Sequence, residues 1–413
     1  MIRLTISGMR RRLPSRVAVL LAVAVSIIAV RALTAQDMRD TLVPAFTLRM
    51  PDSMPLTYVE QLIPGREGSA FLIDARTEAI LAFDPDGAFR AKIGARGEGP
   101  GELLAPWRLG LLGQDTLWVV DARLPRLNLY DVSTGASLAD FGPSTWDVAS
   151  AGGEPLRPFA VLADHRVVAV RWAERDVRLE VLAVHVMGQQ TYPQGVSLAS
   201  LDLRGRSLAV PVSTGDGSLQ VRNPFSHSDM LAIDPSGRYV PVIRRPKPAS
   251  ARALFTVERN DVLESIVDTI RVPYTPRPVQ RRDVRAWAEN LGAVERMVEL
   301  GAFPSQAAGV NAVLKALGTP DYHPPIRNRG RGIVEDGVLF DSEGKLWLQV
   351  SDVSGRINDW IVISSDGGVE VSRVSVPVRA RLLAVQANRV WAEARDDYGV
   401  PMVQVFELRR SGR

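Results

Sequence analysis

The sequence predicts an all-β fold: a six-bladed β-propeller with a two-helix insertion before the fifth blade. Three observations predict it. Short apolar runs alternate with turns rich in Asp, Gly and Pro along most of the 413 residues. The runs group into units that recur, with Asp74 and Asp121 47 residues apart and Trp347 and Trp391 44 apart. One segment, residues 278–318, breaks the β pattern. Four β runs in about 45 residues is the signature of a propeller blade, a unit that buries its apolar faces only against its neighbours.

The first segment is an address. Arg10 to Arg16 form a positive region, Val17 to Val30 are apolar apart from Ser26, and Ala35 offers the small residue that a signal peptidase needs. Residues 1–35 are therefore expected to be a signal peptide cut near Ala35, leaving a periplasmic or extracellular protein. An uncleaved N-terminal membrane anchor is the alternative, although the run is shorter than the ~20 residues that span a bilayer core. With no Cys in the chain there is no lipid anchor, disulfide, zinc–thiolate site or thiol nucleophile. The six Arg of residues 1–35 also carry the whole positive charge: without them the formal +4 becomes −2. Nucleic acid is thereby excluded as an expected partner. Only Lys92, Lys247, Lys315 and Lys345 are lysines, so the Arg excess reflects genome composition.

Residues 36–413 are read as the propeller. Ser69 to Asp74 and Leu81 to Asp84 form one strand pair, and Leu117 to Asp121 and Leu127 to Asp131 form the next. Asp at a strand end hydrogen-bonds its own downstream backbone, and Gly87 or Gly135 supplies positive φ in the turn. Leu346 to Val350, Trp360 to Ile363, Val390 to Glu393 and Met402 to Phe406 repeat the pattern. The six units start near Leu56, Trp107, Pro158, Phe225, Ile333 and Arg381, and those between 157 and 272 are the least regular. The last unit holds only three strands, so residues 45–50 are expected to supply its outer strand and remove an open edge.

Between the first two units, Gly94-Ala95-Arg96-Gly97-Glu98-Gly99-Pro100-Gly101-Glu102 leads to Pro106 and the strand Leu117 to Asp121. This stretch resembles the glycine-rich connector of NHL-repeat and related six-bladed bacterial propellers. The resemblance covers residues 69–131 and, less closely, 333–407. With only one such loop present, the chain resembles divergent exported propellers rather than a regular NHL array. The loop is not a phosphate cradle, because Pro106 and a strand follow it where a helix would be needed.

In the insertion, Val284, Trp287, Leu291, Val294 and Val298 make one apolar stripe of a helix ended by Gly301 and Pro304. A second helix, from about Gln306 to Leu317, turns Val310, Val313, Leu314 and Leu317 inward, with Gly318 as C-terminal cap. Two helices cannot join a blade, so they project from one rim, as an ornament over apolar surface or as a binding element.

Local catalytic motifs are missing. His165, His185, His227 and His323 have none of the spacings of a metal motif, and no Gly-x-Ser-x-Gly elbow occurs. No metal ligand is therefore named and no cofactor is expected. The resemblance nevertheless keeps a channel-bound divalent cation, calcium or zinc, open, because some such enzymes draw ligands from several blades. The first functional reading is a non-enzymatic, exported, monomeric propeller that binds a protein, peptide or glycan on one rim. Its candidate ligand-binding residues, Arg281, Arg285, Trp287, His323, Arg327 and Arg329, lie in or just after the insertion. The alternative is a metal-dependent hydrolase or lyase of the lactonase or NHL-lyase kind, with its site at the mouth of the central channel.

Overall fold

The computed structural model describes residues 39–410, apart from 75–76, 143–156, 163–164, 166, 173–176, 183–196, 203–208, 215–217, 228, 233–238, 249–252, 262–265, 290–291, 319, 327–336, 351–357 and 365–369. Six four-stranded antiparallel units follow one another along the chain. Each strand alternates its side chains between two faces, and where both faces meet a neighbouring sheet the runs are apolar throughout. Ala70–Asp74 and Ile80–Phe83 are buried at every position for this reason.

Blade 1 comprises Val59–Pro64, Ala70–Asp74, Ile80–Phe83 and Phe89–Ile93, and blade 2 Pro106–Leu112, Thr116–Asp121, Arg126–Asp131 and Ser137–Phe141. Blade 3 comprises Arg157–Val161, Val167–Trp172, Val177–Leu182 and Ser197–Asp202, and blade 4 Met230–Leu231, Tyr239–Arg244, Ala253–Asp261 and Ile266–Tyr274. Blade 5 is built from Val338–Phe340, Leu346–Gln349, Asp359–Ile363 and Glu370–Ser375. Blade 6 takes three strands from the C-terminal part of the chain, Arg381–Gln386, Arg389–Arg395 and Pro401–Arg409. Its fourth strand is N-terminal. Arg39–Thr47 pairs antiparallel with Pro401–Arg409, from Thr41 opposite Arg409 to Thr47 opposite Gln404. The strand is thus longer and earlier than residues 45–50, and a short parallel pairing of Arg39 with Arg373 also ties it to blade 5.

Adjacent sheets pack face to face. Phe71, Ile80 and Ile93 of blade 1 meet Leu109, Leu117 and Tyr130 of blade 2. Ile243 and Phe255 of blade 4 meet Leu346 and Ile361 of blade 5, and Trp347 and Trp360 of blade 5 meet Val390 and Phe406 of blade 6. Leu62, Leu72 and Phe83 of blade 1 pack with Trp391 and Val403 of blade 6, so the first and last units share a core. Each such aliphatic or Phe side chain contributes about 1.5–3 kcal/mol of burial, which makes these seams the main source of stability. Trp118, Trp347 and Trp391 occupy the second strands of blades 2, 5 and 6. Gly110 lies against the Trp118 indole, and a Cβ there would overlap the ring.

Among the described residues the insertion holds three helices where the sequence suggested two: α1 (Arg281–Glu289), α2 (Gly292–Glu299) and α3 (Gln306–Leu317). α1 ends at Glu289 and α2 starts at Gly292, and Gly is a poor helix former. Leu291, the middle of the expected stripe, lies outside the described residues. Ser305 caps α3 by accepting from the Ala308 N–H at 3.2 Å, and the Gly318 N–H closes its other end onto the Leu314 carbonyl. The helices do not pack alone. A hairpin of Ala209–Ser213 and Ser218–Arg222, inserted before blade 4, contributes Val212 and Val221 to a shared core with Phe225, Val284, Val294, Val310 and Val313. One outgrowth therefore brackets blade 4 in sequence and carries its own small core.

Candidate binding rim

A blade of four antiparallel strands returns the chain to the rim from which it started. Connections between blades, and turns between second and third strands, thus share one rim, called upper here. Turns between first and second strands, and between third and fourth, share the lower rim. The two rims are built differently.

The lower rim is laced blade to blade by turn residues. Arg389 donates to the Pro85 carbonyl at 3.0 Å, linking blades 6 and 1, and Arg66 bonds Gln114, linking blades 1 and 2. The Ala387 N–H meets Ser342 Oγ at 3.0 Å between blades 6 and 5.

The upper rim carries both insertions, and side chains set the angle at which the chain enters each blade. Asp74, 1 % exposed, accepts from the Thr57 N–H at 2.7 Å, the Thr57 hydroxyl at 2.9 Å and the Tyr58 N–H at 3.0 Å. Asp121 does the same for Leu104 and Ala105 with one oxygen, and for Arg123 and Leu124 with the other. In blade 5 the role passes to Asn358, which donates to the Pro377 and Ala380 carbonyls at 2.9 and 2.7 Å. The glycine loop crosses blade 2 on its way to this rim. Arg126 bonds the Glu98 and Glu102 carbonyls, and Tyr130 donates to the Gly101 carbonyl at 3.0 Å. Gly101 has φ +72°, and a Cβ on it would come within 2.6 Å of Ser137 Cβ, so the crossing requires glycine there.

At the inner edge of the upper rim, where the first strands begin, aromatic rings and guanidinium groups interleave. Arg108 lies 5.2 Å from the Trp107 ring and 4.8 Å from that of Phe159 in blade 3, and the two rings meet edge to face at 5.5 Å. Arg381 of blade 6 lies 4.9 Å over Tyr58 of blade 1, while bonding Glu393 at 2.5 and 2.9 Å and the Val59 carbonyl. Tyr58, Trp107, Arg108 and Arg381 are half-buried. Further out, five of the six large apolar side chains exposed among the described residues lie in or beside upper-rim connections: Leu254, Leu300, Val378, Tyr398 and Val400. Tyr398 is 92 % exposed at the tip of a turn in which Asp396 accepts from the Tyr398 and Val400 N–H groups.

The outgrowth is rooted on the same rim above blades 4 and 5. Arg245, fully buried after the second strand of blade 4, donates to the Ile326 carbonyl at 2.7 Å. His227 Nε2 lies 3.3 Å from the Tyr322 carbonyl, and Ile326 bridges Val350 of blade 5. Burial holds the His227 imidazole below its ordinary pKa, and the positive charges of Arg245 and Lys247 add to this. Burial also pushes the Tyr274 hydroxyl up.

Of the residues singled out from sequence, His323 is buried, with Nε2 3.5 Å from Asp283 of α1 and its ring 5.6 Å from that of Phe225. Trp287 of α1 meets the same Phe225 ring at 6.4 Å, so the structure joins these two through the outgrowth core. Arg281 and Arg285 are exposed on α1, Arg285 3.9 Å from Glu289. Arg327 and Arg329 lie outside the described residues. Sequence reasoning missed the inner ring of Tyr58, Trp107, Arg108 and Arg381, and also Arg245. Arg244-Arg245-Pro246-Lys247, three cations in four residues at a strand end, was the available signal for Arg245. Nothing in the linear order brings Arg381 to Tyr58. Among the described residues no group of three or more His, Asp and Glu is placed to hold a metal ion, and no helix is long and apolar enough to cross a membrane.

A family model described as a 6-bladed β-propeller matches residues 25–138, which include the N-terminal strand and blade 1 and reach the last strand of blade 2. No curated protein matches the chain. Among solved structures, it is similar to a member of the DUF4221 family from Bacteroides vulgatus, at 10% identity and TM-score 0.43, over 90% of this chain and 98% of that one. It is similar to the calcium-binding protein regucalcin from Agrobacterium tumefaciens, at 12% identity and TM-score 0.40, over 91% and 97% of the two chains. It is likewise similar to virginiamycin B lyase from Staphylococcus aureus, at 8% identity and TM-score 0.38, over 87% and 97%. Likenesses this distant say nothing about activity. The sheets, their order and the family model together establish the class: the chain is an all-β, six-bladed propeller.

Proposed function

We propose that this protein is an exported, non-enzymatic binding propeller that receives a peptide, protein or glycan on its upper rim. The observation that carries the reading is the contrast between the rims. One is laced by side chain-to-turn bonds between neighbouring blades. The other bears the insertions, the aromatic–arginine ring and Leu254, Leu300, Val378, Tyr398 and Val400. Aromatic and Arg side chains on a rigid scaffold are the groups that dominate binding energy at recognition surfaces. A metal-dependent hydrolase would need carboxylates or imidazoles converging at the channel mouth; among the described residues the upper-rim carboxylates Asp74, Asp121 and Glu393 are engaged instead by backbone N–H groups and by Arg381. Export rests on the charged, apolar and small-residue layout of residues 1–35.

Paired surface variants test the reading. Peptide and oligosaccharide arrays probed with the purified protein are expected to yield a ligand. Tyr398→Ala, on the upper rim, is expected to weaken its binding. Leu138→Ser, at the lower end of the outer strand of blade 2, is expected to leave binding unchanged. Turnover of the ligand, or loss of binding only in the Leu138 variant, would contradict it.

A further inference from the structure

The helices of the outgrowth leave and rejoin the ring through a narrow neck. Residues 277–279, which follow blade 4, and 321–323, which lead on to blade 5, run antiparallel. The His323 N–H donates to the Arg277 carbonyl at 2.9 Å, and the Val279 N–H to the Asp321 carbonyl at 3.1 Å. Pro278 and Tyr322 face each other between these bonds, as a pair whose own carbonyls point away from the partner segment. The outward carbonyl of Tyr322 is met by His227, whose Nε2 lies 3.3 Å away. His227 belongs to another crossing, residues 223–229, which runs from Phe225 in the outgrowth core to Asp229, paired with Arg244 of blade 4. One imidazole thus joins the neck to the segment that enters blade 4.

Two histidines flank this neck, and their surroundings are opposite in sign. His323 is buried and points to α1, with Nε2 3.5 Å from an Asp283 carboxylate oxygen that also accepts from the Gln280 N–H at 2.9 Å. A proton on His323 makes an ion pair within the outgrowth. His227 meets cations instead. Its half-buried ring lies between the Tyr322 carbonyl and the backbone of Arg245, and it faces the charges of the fully buried Arg245 guanidinium and of Lys247. Asp229, two residues along, is engaged by Arg244. Neutral His227 has one N–H to give; a proton adds a second donor and, with it, a positive charge beside two others. Desolvation and repulsion outweigh the extra hydrogen bond, and the imidazole is held below its ordinary pKa.

We propose that the outgrowth is a lid whose seat on the upper rim is released by acid, with His227 as the latch and the His323–Asp283 pair keeping the released body folded. Neutral His227, protonated on Nε2, donates to the Tyr322 carbonyl and holds the neck down. Charged, the ring is better accommodated in water, and the neck turns about its two ends, residues 274–276 and 324–326. The second end stays fixed by Arg245 on the Ile326 carbonyl and by the Ile326–Val350 bridge. The lid moves as one piece, because helices and hairpin share a core of their own. The open state takes up the proton near the ordinary pKa and the seated state only below it. Seating is therefore complete above pH ~6.5 and is lost as pH falls towards the lower value. The switch does not depend on what the rim binds.

The chain has no Cys, so labelled cysteines can be placed in pairs. Leu300→Cys on the outgrowth with Val378→Cys on the rim, both at exposed positions, reports the seat by single-molecule energy transfer. Leu138→Cys with Tyr398→Cys, also exposed, reports the ring alone. A second transfer state of the first pair is expected to gain about tenfold in population between pH 7.5 and 5.5, with the second pair unchanged. His227→Gln, which keeps an N–H donor and cannot be charged, is expected to abolish the gain. His227→Arg, charged throughout, is expected to show the second state already at pH 7.5. Asp283→Asn, which can still accept from the Gln280 N–H, is expected to leave the pH response in place. A first pair indifferent to pH, or a gain kept in full by His227→Gln, would overturn the latch. Both pairs changing together would show acid unfolding of the ring and would overturn it equally.

Discussion

Asp74 and Asp121 hold equivalent positions, each at the end of a second strand, each gathering the backbone N–H groups where the chain turns into its own blade. Sequence reading, which placed the Asp-initiated turns at Asp84 and Asp131, used these two only as markers of the repeat. It did not show that they also anchor the residues preceding the first strand, because Thr57 and Leu104 lie seventeen positions upstream. Removing a buried acceptor strands its donors at about 1–3 kcal/mol each. Asp121→Ala, which strands four N–H groups, is therefore expected to destabilise by several kcal/mol, and Asp121→Asn by less. Denaturant titration checks this; equal and negligible losses would show that water serves those donors. A second residue-scale expectation concerns pH. His227 has a folded-state pKa below its ordinary value, chiefly through burial, so the unfolded chain takes up a proton before the folded one does. Its contribution is complete above pH ~6.5 and is lost as pH falls below that value towards the folded pKa. The melting temperature is expected to decline between pH 7 and 5, and His227→Gln to flatten that slope. An unchanged slope in the variant would show that other groups govern the acid limb.

At the level of elements, strands with strict repeats were legible and their company was not. Blades 1, 2, 5 and 6 follow from apolar runs, Asp turns and recurring Trp, since both faces of each strand are buried and the pattern needs no partner to be read. The helices were legible from Val284, Val294, Val310 and Val313, but the second half of their core was not. Val212 and Val221 come from a hairpin on the far side of blade 4 in sequence, and no local period couples the two insertions. The N-terminal strand was expected at 45–50 from the apolar Ala45-Phe46-Thr47-Leu48; pairing with Pro401–Arg409 instead begins at Thr41, opposite Arg409, and Arg39 and Asp40 before it pair with blade 5. A core shared only by the hairpin and helices should melt as one unit. Val313→Asp, which buries a carboxylate in it, is expected to raise hydrogen exchange in residues 209–222 and 281–317 together while the blades stay protected. Exchange rising throughout the chain would show that the outgrowth is integral to the ring.

For the whole molecule, the ring was legible and the mouth was not. Counting units gave the number of blades. The make-up of the upper rim depends on which blades stand side by side, and Arg381 reaches Tyr58 only across the seam between the last and first blades. Residues picked for being near an insertion, such as His323, are packed inside it, here against Phe225 and Asp283. Closure also makes the two rims distinct surfaces of one rigid body, and binding is expected to respect that distinction. Hydrogen exchange with and without the tightest-binding ligand from the peptide and oligosaccharide arrays measures it most directly. The account expects new protection at residues 57–60, 105–108, 378–380 and 396–400, on the upper rim, with no dependence on a chelator. Protection confined to the lower turns at 65–68, 84–87 and 113–115, or protection abolished by chelation, would contradict it.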